Sequence, residues 1–217
     1  MGIHYNTKRL PATKDLLSLV DAANPRCTTG SGNIIDLVNT SIAWTRQGTV
    51  TDTTSSGTSC WNMDSGYLET SSTGVFSRGY TVFYLWLPRT SDSGWRTLHR
   101  NSDDHVVIVQ DGGKSLGMYS NRNGSFRDTG YDISVNWQTL IVTAYGNSIS
   151  DAVGTGTFYV NGSSVGTTDR VSCGTDLYGI GWSGQGPGKL AVAGVYNKQL
   201  SSDEIKQLHD SLKARII

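Results

Sequence analysis

Apolar residues come along this chain in short runs separated by clusters of Gly, Ser, Thr and Asn, the pattern of strands joined by turns rather than of helices. The clearest run lies near the C-terminus, where Leu190, Val192, Gly194 and Tyr196 alternate with Ala191, Ala193 and Val195. Strand periodicity with little charge on either face predicts a central strand covered on both sides. The period then changes. Ser201 precedes Glu204 in a capping box, in which hydroxyl and carboxylate each satisfy a backbone N–H that the first helical turn leaves unpaired. Ile205, Leu208 and Leu212 then form one apolar stripe, with Lys206, Asp210 and Lys213 facing water, which predicts a short helix over 201–213 docked on the back of a sheet. Upstream, Trp137 to Tyr145 reads as a strand, and Gly156 to Thr167 as a hairpin turning at Asn161-Gly162, where both central residues need positive φ. The run GYTVFYLWLPR from Gly79 is a further strand, with Trp86 in its apolar pattern. Gly48 to Ser59 is polar enough to pass for a linker, or for an early strand and loop.

Four consecutive elements share a recognisable spacing: W-x-x-L-x-V-T from Trp137, F-Y-V-N-G-x-x-V-G from Phe158, L-Y-x-I-G-W from Leu177 to Trp182, and V-Y-N-x-x-L-S-x-x-E-I-x-x-L from Val195. Together they resemble the laminin-G-like or concanavalin A-like lectin-glucanase superfamily. The resemblance implies an all-β fold, a two-sheet antiparallel β-sandwich of jelly-roll topology with a short C-terminal helix. It also implies one domain over residues 1–217, with 1–25 as N-terminal arm and first strand. The segment Leu16 to Asn24 (LLSLVDAAN), followed by Pro25-Arg26, is similar to the opening of single-domain members found in tailed-bacteriophage virion proteins. That narrower resemblance implies a noncatalytic virion component (appendage, decoration or fibre) located in the virion. Its partners in assembly or attachment are copies of itself or other virion proteins.

Composition narrows the functional classes. The 217 residues include 26 Gly and 4 Pro, in keeping with many strands and turns, and 18 basic residues balance 18 acidic ones. Zero net charge without a polybasic run offers no field for a phosphate backbone, so no nucleic-acid partner is expected. The N-terminus lacks the apolar core of a secretion signal, and no run approaches the ~20 apolar residues of a membrane helix, so a soluble protein is expected. Cys27, Cys60 and Cys173 show no C-x-x-C spacing and read as buried thiols.

Candidate chemistry divides into catalysis, metal binding and glycan binding. Glycosidases of this superfamily carry two carboxylates on one strand face, flanking the scissile bond. This chain has two glutamates, Glu69 and Glu204, the second committed to the helix cap, so no enzyme is expected. Gly162-Ser-Ser-Val-Gly166 matches the G-x-S-x-G string of serine hydrolases but falls in a hairpin instead of a strand–turn–helix elbow. No cofactor is expected. Calcium is the one metal the resemblance suggests, but the family's D-G-x-x-D-Y loop here reads Asp64-Ser-Gly-Tyr67, one aspartate short. His99, Asp103, Asp104 and His105 sit in WRTLHRNSDDHVVIV, either a polar cluster able to meet a ligand or a plain hairpin loop. Trp95 and Arg96 lie in a polar turn and Trp182 beside a Gly-rich loop, where rings stack on sugar faces and neighbouring polar groups bond hydroxyls, or where they close the ends of the sandwich. Three functions therefore stand at this stage: the virion component, a stand-alone carbohydrate-binding lectin module, and a glycan hydrolase or lyase.

Overall fold

The computed structural model describes residues 4–5, 8–11, 13–27, 32–71, 78–89, 93–101, 104–121, 124–146, 153–171 and 178–216. Its strands are β1 (His4–Tyr5), β2 (Lys8–Arg9), β3 (Leu16–Asp21), β4 (Ile34–Ile35), β5 (Ala43–Ser55), β6 (Thr58–Glu69), β7 (Gly79–Pro88), β8 (Arg96–Arg100), β9 (Asp104–Val109) and β10 (Ser115–Ser120). They continue with β11 (Ser125–Asp132), β12 (Gln138–Gly146), β13 (Val153–Val160), β14 (Ser163–Arg170), β15 (Gly179–Ile180) and β16 (Gly188–Tyr196), and one helix, α1 (Ser202–Lys213), follows.

The strands form an antiparallel sandwich of two layers. In the first, β3 and the start of β6 share one edge of β16, whose other edge pairs with β7, and β12, β13 and β14 follow in order. In the second, the end of β6 pairs with β15, followed by β8, β9, β10 and β11. The β5–β6 hairpin belongs to both layers and bends between them. At the bend Gly48, with φ +64°, pairs with Gly66. A Cβ on Gly66 would collide with the Thr49 carbonyl, so the corner needs glycine there. At the far side β14 approaches β11, with Arg127 Nε 3.4 Å from the Asp169 carboxylate, so the sandwich is nearly closed. The polar stretch from Gly48 to Ser59 is thus strand, turn and strand rather than linker.

Alternation assigns each strand an inner and an outer face. In β7, Val82, Tyr84 and Trp86 point into the core between the layers, where they meet Trp44, Trp61 and Leu140. Phe83 and Leu85 point outward, yet are as buried, because α1 lays Ile205, Leu208 and Leu212 across them together with Ile141, Val192 and Tyr196. The predicted stripe therefore docks where expected, and β16 is central. The capping box at Ser201 and Glu204 is formed, with Lys198 Nζ donating to Glu204 at 2.7 Å. Tyr196 Oη donates to the Pro11 carbonyl at 2.8 Å and ties the N-terminal segment to this face. Asn161 and Gly162 have φ of 51° and 81°, the hairpin turn that the sequence demands. Cys27 and Cys60 are buried and free, and burial pushes the Cys27 thiol up to about 12, which leaves it protonated and unreactive. Cys173 lies outside the described residues. No helix among the described residues is long and apolar enough to cross a membrane.

Candidate functional site

The outer face of the second layer carries a row of polar and aromatic residues. Leu68, Leu98, Val107, Val109, Leu116 and Ile180 point inward from its strands, so the alternate positions point out. Pairing across the layer aligns those outward positions in a single row. Thr45 on β5 pairs with Glu69, Glu69 with Gly179, Gly179 with Arg100, Arg100 with His105, His105 with Tyr119, and Tyr119 with Phe126 on β11. One residue from each of seven strands, with a side chain on all but Gly179, thus crosses the face at right angles to the strands.

At the β5 end of this row is a groove of about 560 Å³, lined by Asn39, Ser41, Ile42, Ala43, Thr45, Gln47, Glu69, Thr70, Ser71 and Tyr178. Its wall from Asn39 to Ile42 is held by the buried Asp36 carboxylate, which accepts from the backbone N–H of Val38 at 2.9 Å and of Asn39 at 3.1 Å. The same carboxylate accepts from the Trp44 indole at 3.4 Å. Tyr178 stands where groove and aromatic surface meet. The backbone N–H of Thr70 donates to the Tyr178 carbonyl at 2.9 Å and anchors the main chain there. Desolvation and a hydrogen bond to the Glu69 carboxylate raise the Tyr178 hydroxyl above its usual pKa, and desolvation and the same carboxylate raise Tyr67. Both phenols stay protonated and act as donors.

Beyond Tyr178 the rings continue. Trp182 packs against Tyr178 at 5.6 Å and Tyr67 at 5.5 Å between ring centroids, and the Arg100 guanidinium lies 3.6 Å from its centroid. Such a cation–π contact holds the guanidinium flat on the indole. Arg100 is steadied from behind as well, since its Nη1 is 3.4 Å from His105 Nε2 and the opposite ring nitrogen, Nδ1, is 2.8 Å from Thr97 Oγ1. Arginine carries donors only, so His105 Nε2 accepts and Nδ1 bears the proton. Thr97 then accepts from His105 and donates to Gln185 Oε1 at 2.7 Å. The direction of this relay requires a neutral imidazole, and burial together with the Arg100 charge lowers His105 to about 4. At the β11 end, Trp95 meets Tyr119 at 5.4 Å and Phe126 at 5.6 Å, both edge-on.

Three of the residues singled out from sequence, Trp95, His105 and Trp182, reach this outer face. Three others do not. Arg96 and His99 pair with Val109 and Val107, so they share the inward side of β8 and are 0% and 1% exposed. Arg96 donates to the Gln110 and Gly113 carbonyls and clips the β9–β10 turn, and burial lowers His99 to about 3. Asp104 is 1% exposed, and its carboxylate accepts from the Asn121 N–H at 2.9 Å, a brace between β9 and the end of β10. Asp103 lies outside the described residues. The same face also holds Arg100, one strand position beyond His99, and Glu69, Tyr67, Tyr178 and Gln47, none of which the sequence singled out for a ligand, although Tyr178 lies in the L-Y-x-I-G-W string and Tyr67 in the Asp64 loop. The register of β5, β6, β15 and β8 brings them together, and only a known pairing reveals it. Among the described residues no group of three or more His, Cys, Asp or Glu side chains gathers that could hold a metal ion.

Comparison with protein-family models and with curated proteins finds no match. Solved structures do resemble the fold. Trypanosoma rangeli sialidase in complex with 2,3-difluorosialic acid is 13% identical with a TM-score of 0.62, over 90% of this chain and 32% of the sialidase. A botulinum neurotoxin type C structure, from a toxin whose cell entry depends on interaction with two ganglioside molecules, is 13% identical with a TM-score of 0.63, over 92% of this chain and 52% of its own. The binding domain of botulinum neurotoxin DC in complex with SialylT matches at 13% identity and a TM-score of 0.61, again over 92% and 52%. The chain therefore spans about a third of the sialidase and about half of the toxin chains. At this identity the likeness is one of fold, an antiparallel β-sandwich.

Proposed function

We propose that the protein is a noncatalytic glycan-binding module of the concanavalin A-like, jelly-roll kind, and that it binds through the outer face of its second layer. The observation that carries this is Tyr178, one ring shared by a polar groove and by the Tyr67–Trp182–Arg100 cluster. Sugar rings have apolar faces and polar rims. An aromatic shelf opening into a groove of hydroxyls, amides and a carboxylate supplies a partner for each. Zero net charge also suits an uncharged or weakly charged ligand over a polyanion. Catalysis by paired carboxylates draws no support from the site, because Glu69 is the one carboxylate among the described residues lining the groove and that mechanism needs two flanking the bond. The virion role rests on the likeness of Leu16–Asn24 alone, and no geometry on this face favours assembly over attachment.

The solved neighbours bind gangliosides, SialylT and a sialic acid derivative, which makes sialylated glycans the first class to test. A glycan array followed by calorimetry is expected to find a saturable ligand whose affinity falls at least about tenfold, or 1.4 kcal/mol, in Tyr178→Ala and in Trp182→Ala. Tyr145→Ala, on the half-exposed edge of the first layer, is expected to leave binding unchanged. Equal binding by all four proteins would reject this face as the site.

A further inference from the structure

The row of outward positions does not stop at the proposed site. It runs from the groove past Arg100 and His105 to a second aromatic platform made of Trp95, Tyr119 and Phe126. Two features mark that platform as built. A Cβ on Gly117 would come within 2.8 Å of the Phe126 ring, so glycine on β10 is what lets that ring lie flat against the strand backbone. Tyr119 in turn packs edge-on against His105, at 6.2 Å, and His105 holds Arg100. The two platforms are therefore joined by an unbroken series of contacts, Trp182 to Arg100 to His105 to Tyr119 to Trp95. Tyr119 and Phe126 are half-buried.

From Thr45 to Phe126 the row crosses six inter-strand steps, about 29 Å at the spacing of paired strands. A single sugar covers only a fraction of that length. A branched, compact headgroup has no use for rings at both ends and polar groups between. We infer that the ligand is a linear oligosaccharide of several units lying across the strands, with Trp95, Tyr119 and Phe126 forming a distal subsite. This inference rests on the glycan-binding reading above and adds to it the shape of the ligand and the second platform. One end of the glycan occupies the groove at Gln47, Glu69 and Tyr178. Its middle units pass over Trp182 and Arg100, and Arg100 donates to their hydroxyls. The far end stacks on Phe126 and Trp95.

The test is a length series on the intact protein by calorimetry. The probes are sialylgalactose, sialyllactose and sialylated lacto-N-tetraose, run beside cello- and laminari-oligosaccharides of matching lengths. Affinity is expected to rise at least about tenfold from the shortest to the longest member of the series that binds. Phe126→Ala is expected to abolish that rise and leave the shortest ligand unaffected, whereas Tyr178→Ala weakens every length. Trp95→Ala provides the same readout if Phe126→Ala does not fold. Binding that is independent of length, or a Phe126→Ala loss equal at all lengths, overturns the extended track and leaves the groove site standing. Absence of binding by every glycan of both series and of the array overturns both.

Discussion

The outer faces of the two layers are built by the same strand alternation and have opposite fates. On the first layer the outward residues are Phe83, Leu85, Ile141, Val192 and Tyr196, and they are covered by α1. On the second they are Thr45, Glu69, Arg100, His105, Tyr119 and Phe126, and among the described residues no helix covers them. An apolar outward face demands a lid, and the capped helix that ends the chain supplies it. A face of rings joined to polar groups tolerates water and remains available to a ligand. Coverage is thus decided strand by strand, by whether the outward half of the alternation is apolar throughout or carries polar and charged groups. Stability should therefore depend most on the first face and recognition on the second.

The largest effect is expected where the lid meets its sheet. Leu208, on the buried side of α1, is 0% exposed, and Leu208→Ala should cost about 2–5 kcal/mol of unfolding free energy by chemical denaturation. A cost near zero would mean that the helix does not hold that face. Next comes pH, which acts on the second layer. His99 and His105 have folded pKa values of about 3 and about 4, below the ordinary 6.5. Between those values and 6.5 the unfolded chain binds more protons than the folded one, so stability present above pH 6.5 is lost as the pH falls through 4 and then 3. The urea midpoint should fall over that window, with amide protection in β8 and β9 lost before that in β7 and β12. A flat midpoint from pH 7 to 4 would contradict the buried neutral state of both rings.

Smaller effects sharpen the contrast. Ser201→Ala removes the hydroxyl that accepts from the Glu204 N–H and should cost about 1 kcal/mol, read as a lower thermal midpoint with glycan affinity unchanged. A change in affinity would tie the lid to the opposite face. The smallest effect belongs to the seam between the layers, where Arg127 and Asp169 are 35% and 75% exposed. Asp169→Asn should alter stability by less than about 1 kcal/mol in a denaturation series.

The contrast also explains what the sequence made legible. The first layer could be read directly, because Leu190 to Tyr196, the Ser201–Glu204 box and the stripe of Ile205, Leu208 and Leu212 are local patterns that each specify an element. Two of its features that depend on partners, Phe83 and Tyr196 meeting at 5.5 Å and Tyr196 reaching Pro11, were not legible. In the second layer, residue types at Trp95, His105 and Trp182 pointed to a surface, but the β8 register decided between neighbours. Pairing with Val109 and Val107 turned Arg96 and His99 inward, and pairing with His105 turned Arg100 outward. Glu69 and Tyr178 are far apart in sequence, the L-Y-x-I-G-W string around Tyr178 does not point to Glu69, and they meet only because β6 and β15 are adjacent strands. A site made of one residue per strand leaves no local signature.

The most direct test of recognition by the second face is an amide and indole NMR titration with the best glycan from the array. Shift changes concentrated at Thr45, Gln47, Glu69, Tyr178, Arg100 and the Trp182 indole, with α1 and β12 silent, are the expected result. Changes centred on α1 or on the first layer, with those six positions unmoved, would contradict it.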